Sequence, residues 1–92
     1  MRYWMYKVGS NLCGDSGLMS MSFDVDADKM VDIKDNARPE VGKYMRVGTP
    51  FARSMQRQDW WQTNKVEEII EDTPNYVKFR TLSGSIYEWK CD

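Results

Sequence analysis

The chain has 92 residues, of which 41% are hydrophobic and 29% charged, average globular usage that excludes a disordered chain and limits it to one domain with a small core. Thirteen basic residues against 14 acidic ones leave a net charge of −1, with no overall pull toward nucleic acid. The absence of histidine removes the commonest general base, the commonest metal ligand and every Ser-His or Cys-His nucleophile pair; with two distant cysteines and no Gly-rich phosphate loop, neither an enzyme nor a cofactor is expected.

Met1 to Val8 alternates Tyr3, Met5 and Lys7 against Trp4, Tyr6 and Val8, which predicts a strand. Gly9 to Gly17 is dense in Gly, Ser, Asn and Asp and reads as an exposed loop. Leu18 to Val25 is a weaker strand with Met19, Met21, Phe23 and Val25 facing one way, the methionines serving as adaptable core filler. Lys29 to Ile33 is a short strand followed by a loop through Asn36 and Pro39. Tyr44 to Thr49 is another, introduced by Gly42 and closed by Gly48 and Pro50. Phe51 to Thr63 has neither a period of 2 nor a helix cap, and predicts a long ordered loop with its aromatics folded inward.

Lys65 to Asp72 is ambiguous, because Val66, Ile69 and Ile70 also match one helix face at i, i+3 and i+4; its brevity and the hairpin beyond it favour a strand. After a turn at Thr73, Pro74 and Asn75, Tyr76 to Leu82 sets Val77, Phe79 and Thr81 against Tyr76, Lys78 and Arg80. A second turn at Ser83 and Gly84 leads to Ser85 to Lys90, with Tyr87 and Trp89 against Ile86, Glu88 and Lys90: a hairpin. A short strand, a long loop and a three-stranded meander is the order of small SH3-like barrels. The expectation is therefore a mainly β, single domain over 1–92: a small SH3-like, partly open barrel over 41–92, with N-terminal strands and loops over 1–40 added to it.

Charge is segregated along the chain. Val41 to Gln58 carries Lys43, Arg46, Arg53 and Arg57 and no acid, while Asp24 to Glu40 and the run Glu67, Glu68, Glu71 and Asp72 are acidic, which a solvated surface of opposed patches also explains. Asp24, Asp26 and Asp28 have the spacing that opens a calcium loop. Lys29 stands where that loop needs Gly for its sharp turn, and Asp35 where it needs a bidentate Glu, so acidic alternation on a strand, with Val25 and Ala27 inward, is the stronger reading and no metal is expected.

The constellation with chemical content lies between Tyr44 and Trp61, where Arg46, Arg53 and Arg57 interleave with Tyr44, Phe51, Trp60 and Trp61. Trp, Tyr and Arg dominate protein-binding hot spots, and the same mixture holds phosphates by charge and bases by stacking. Core packing accounts for part of it: in extended chain, Trp60 and Trp61 point to opposite faces, so one of them closes the core. Cys13 and Cys91, with no apolar leader segment, read as reduced thiols of a cytoplasmic protein, and no stretch approaches the roughly 18 apolar residues of a membrane span.

The run from Arg38 to Lys90 resembles short uncharacterised proteins of bacteriophages and prophages. The resemblance rests on Met45-Arg46-Val47-Gly48, Ala52-Arg53, Gln58-Asp59-Trp60-Trp61-Gln62-Thr63, Val66 with Ile69, and Phe79-Arg80-Thr81 leading to Ser85-Ile86-Tyr87. It departs at Gly84-Ser85, where Asn-Ser is expected, and at Asn64-Lys65, where a hydroxyl residue often stands. The resemblance implies a phage accessory protein in a bacterial cytoplasm that occupies a host protein, such as a host enzyme or a defence component. The residue set for that partner is Lys43, Arg46, Arg53, Arg57, Trp60 and Trp61. Alternatives are a nucleic-acid-binding barrel using the same face and a virion component assembling through an open strand edge.

Overall fold

A computed structural model describes residues 1–9, 14–49 and 60–92. Among the described residues nine strands, β1 Tyr3–Lys7, β2 Gly14–Gly17, β3 Met19–Asp26, β4 Lys29–Asp35, β5 Tyr44–Gly48, β6 Trp60–Gln62, β7 Val66–Thr73, β8 Tyr76–Thr81 and β9 Ile86–Cys91, form two antiparallel sheets, and none of these residues is helical. One sheet has the order β2-β1-β9-β8-β7 and the other β4-β3-β5-β6. The sheets do not close into a barrel, but at one corner the start of β5 reaches β7: Gly42 N–H donates to the Val66 carbonyl (2.9 Å) and Val66 N–H to that of Lys43 (2.8 Å). The N-terminal strands are integral to both layers, since β1 pairs with β9 and β3 with β5.

The main core lies between the sheets. Tyr3 and Met5 of β1, Val66 of β7, Val77 and Phe79 of β8, and Tyr87 and Trp89 of β9 meet Met45 and Val47 of β5. Both strands of the predicted hairpin bury the faces their alternation assigns. The apolar clustering supplies the driving force, while a polar seam fixes how the layers meet: Trp89 Nε1–H donates to Ser20 Oγ (2.9 Å), whose hydroxyl donates to the Ala37 carbonyl (2.7 Å). Arg38 straps the β4–β5 connection across to the other sheet. Its guanidinium donates to the Pro74 and Thr73 carbonyls (2.6 and 2.7 Å) and to the Asp72 carboxylate, and lies 5.4 Å from the Trp89 ring centroid.

Three expectations change. Part of the predicted loop from Gly9 to Gly17 is strand β2, paired with β1. Its glycines serve close approach rather than turning: a Cβ on Gly17 would collide with the Gly48 carbonyl, and one on Gly14 with the Met5 carbonyl and the Tyr6 ring. In β3 the inward face is the reverse of the predicted one. Ser20 and Ser22 are buried opposite Val47 and Met45, whereas Met19 and Met21 lie on the outer face and Val25 is exposed; Ser20 finds partners in the core, and the small Ser22 is buried beside Met45. The predicted loop from Phe51 to Thr63 ends in strand β6, and its residues 51–59 lie outside the described part of the chain.

The helix-like spacing in β7 also has a physical cause. Register shifts between Val66 and Glu68 and between Ile69 and Glu71 are bulges, so Val66, Ile69 and Asp72 stand opposite Thr81, Phe79 and Val77. An extra residue at each bulge converts a period of 2 into steps of three while the strand remains a strand. The acids between them lie along this edge strand, where charge discourages pairing with another chain.

Candidate functional site

The candidate site is built on the outer face of the sheet β4-β3-β5-β6. In β5, Met45 and Val47 point to the core, which sends Tyr44 and Arg46 outward. Register then sets their neighbours: Tyr44 is opposite Phe23, and Arg46 is opposite Met21 on one side and Gln62 on the other. Trp61 pairs with Val47 and packs against the main core, while Trp60 pairs with Gly48 and takes the outer face, so the adjacent tryptophans divide as extended chain requires.

Arg46 organises this face. Its guanidinium sits 4.7 Å from the Trp60 ring centroid and 5.4 Å from that of Phe23, and its Nε and Nη2 donate to Gln62 Oε1 at 3.2 and 2.6 Å. Phe23 in turn stacks on Tyr44, with centroids 5.5 Å apart and planes 16° from parallel. Partial desolvation lowers the Arg46 pKa from its ordinary value, yet a guanidinium stays charged in any neutral solution. Arg46, Trp60, Trp61 and Gln62 line a shallow depression of about 270 Å³. The arrangement can present a fixed cation beside an aromatic face.

Of the sequence-derived partner set, Arg46, Trp60 and Trp61 come together, although Trp61 serves mainly the core. Lys43 turns toward the β3–β4 hairpin, its Nζ 3.7 Å from Asp32 Oδ2. Arg53 and Arg57, with Phe51, lie outside the described residues.

The acidic hairpin explains the calcium-like spacing without a metal. Ala27 and Asp28 both take left-handed φ values, 50° and 64°, as a two-residue hairpin turn demands, and Asp26 pairs directly with Lys29. Asp24 and Asp26 therefore run along a ladder, with Val25 and Ala27 exposed rather than inward, and do not wrap around a point. Among the described residues no group of three or more His, Cys, Asp or Glu is placed to hold a metal ion. Asp24 is held below the ordinary carboxylate pKa by the Val25 N–H it accepts (2.8 Å) and then by Lys65, whose Nζ lies 3.5 Å away.

The sequence reading missed a second constellation on the outer face of the other sheet. Trp4, Tyr6, Asn75, Tyr76, Lys90 and Cys91 line a groove of about 460 Å³, and Tyr76 donates its hydroxyl to Glu88 Oε2 at 2.7 Å. The available signal was the outward half of two alternations: Trp4 and Tyr6 opposite the core pair Tyr3 and Met5, and Tyr76 opposite Val77.

Comparison with protein-family models, with curated proteins and with solved structures returns no match to the chain. No helix among the described residues is long and apolar enough to cross a membrane.

Proposed function

We propose that the chain is a non-enzymatic phage accessory protein that binds a host protein in the bacterial cytoplasm through the outer face of β3, β5 and β6, and that it inhibits the enzyme or defence component it occupies. The observation that carries this reading is the Arg46 guanidinium, set between Phe23 and Trp60 and oriented by Gln62. An oriented Arg beside a half-buried Trp is the composition of an interface hot spot, and holding the side chain in place beforehand lowers the entropy lost on binding. The phage provenance and the SH3-like description rest on the resemblance and on the order of β5 to β9.

The test is capture from a nuclease-treated bacterial lysate by tagged protein, followed by reconstitution with the purified partner. The expected result is a stoichiometric complex that loses at least about tenfold in affinity with Arg46→Ala and weakens only slightly as salt rises. A nucleic-acid-binding face instead predicts retention of nucleic acid and a steep fall with salt, because every neutralised phosphate releases counterions. Concentration-dependent mass without any partner would favour virion self-assembly.

A further inference from the structure

The outer face of the sheet β2-β1-β9-β8-β7 supports an inference independent of the Arg46 face. Tyr3, Met5, Val77 and Trp89 point to the core, which sends Trp4, Tyr6, Tyr76 and Lys90 outward. Register sets Trp4 of β1, Lys90 of β9 and Tyr76 of β8 side by side in one cross-strand row. All three line the groove of about 460 Å³, which falls within the size of small-molecule sites. The two aromatics are thus attached to strands two interstrand spacings apart, about 9.5 Å, with the lysine between them.

Polar groups lie between and beside the rings. Lys90 brings three donors, and its Nζ lies 6.0 Å from the Tyr76 ring centroid. Tyr76 gives its hydroxyl proton to Glu88 Oε2 (2.7 Å), which steadies the ring and leaves the phenol oxygen as an acceptor. Asn75 carries both donor and acceptor, and its backbone carbonyl is anchored by the Cys91 N–H (3.0 Å). Among the described residues Lys90 is the one charged side chain in the lining, and Glu88, two residues away on the same strand face, offsets it. A ligand of net charge therefore gains little here, whereas an uncharged ligand rich in hydroxyls finds donors and acceptors beside two apolar ring faces.

We propose that this groove binds a flat, equatorially linked neutral oligosaccharide of the cellulose and chitin type, laid across β1, β9 and β8. One pyranose ring rests on Trp4, the next lies over Lys90 and the third rests on Tyr76. A pyranose with equatorial substituents turns its axial C–H bonds toward the electron-rich face of an aromatic ring, while its hydroxyls project from the rim toward polar side chains. Two links of such an extended chain cover roughly the two interstrand spacings that separate Trp4 from Tyr76, so alternate sugars meet the two aromatics. The middle sugar meets the Lys90 donors, and Asn75 meets the rim of the sugar on Tyr76.

The experiment is a titration of the full chain with cellotriose and, separately, chitotriose up to about 5 mM, at the weak end of specific affinity, read by backbone amide shifts. The expected result is saturable shifts confined to β1, β8, β9 and the turn at Asn75 with at least one of the two, the tighter of them identifying the ring substituent the groove admits. Affinity should fall at least tenfold for the monosaccharide and in Trp4→Ala, be largely retained in Trp4→Phe, which keeps a ring, and stay unchanged as salt rises, because the ligand is neutral. Absence of saturable shifts with both sugars overturns the proposal, as does a response centred on Arg46 and Trp60. Equal binding of maltotriose, whose axial links bend the chain, or of the monosaccharide overturns the flat three-ring match. Undiminished binding by a Trp4→Ala chain whose remaining amide spectrum is native removes the stacking platform and overturns it too.

Discussion

Trp89 and Phe23 are both 1% exposed, but they are buried by different means. Trp89 lies between the two sheets, packed near Tyr3, hydrogen-bonded to Ser20 and roofed by Arg38. Phe23 lies on the outer side of its sheet, against Tyr44 and the Arg46 guanidinium. Backbone layers close the first site. Side chains that pivot about their own bonds contribute to closing the second. Equal burial therefore does not mean equal stability cost.

That contrast is broken most sharply by Trp89→Ala, which is expected to destabilise the protein by about 3–5 kcal/mol, the range for an aromatic deleted from a packed core, measured by urea unfolding. Ser20→Ala comes next. It leaves the Trp89 indole N–H buried without its acceptor and should cost about 1–3 kcal/mol, with no change in the extent of cooperative unfolding. Arg46→Ala should cost only about 1 kcal/mol in stability, the scale of partly exposed cation–π contacts, while abolishing most partner affinity. A loss as large as that of Trp89→Ala would make the outer face part of the structural core.

The smallest effect concerns Tyr76, whose pKa is pushed up to about 12, first by desolvation and then by its hydrogen bond to Glu88. A raised folded-state value favours the neutral phenol, so its contribution is fully present below the ordinary pKa of 10.0 and is lost as pH rises toward 12. In this window Tyr76→Phe should lose less stability than the natural chain; equal losses in parallel thermal melts would show that folding does not raise the phenol pKa.

The β8–β9 hairpin was legible because both strands keep a clean period of 2 over a single buried face. β7 was legible as a strand but not in its register, since nothing local marks a bulge and the resulting steps of three imitate a helix. β3 was misread in facing: Ser20 and Ser22 are inward only because Ala37 and Trp89 reach Ser20 and because Met45 and Val47 lie opposite, all supplied by distant sequence. The division of Trp60 from Trp61 followed from extended geometry alone. Lys43 was placed with the arginines by its position in the chain, whereas a carboxylate on the neighbouring hairpin claims it. The groove at Trp4, Tyr76 and Lys90 escaped notice because its members come from three strands that only the sheet order makes neighbours.

The pairing of β1 with β9 has a kinetic consequence. Tyr3 lies beside Cys91 and Lys7 beside Tyr87, so a pairing at the centre of the larger sheet joins two segments that are distant in sequence. The β7–β8–β9 meander can form from local contacts, but Tyr3 and Met5 cannot reach their places until β9 exists, and closure over so long a loop is slow. During synthesis the aromatic run Tyr3 to Lys7 can pair with β2, but its other edge waits for β9. In that interval the edge of β1 that faces β9 is an unpaired template for misassociation.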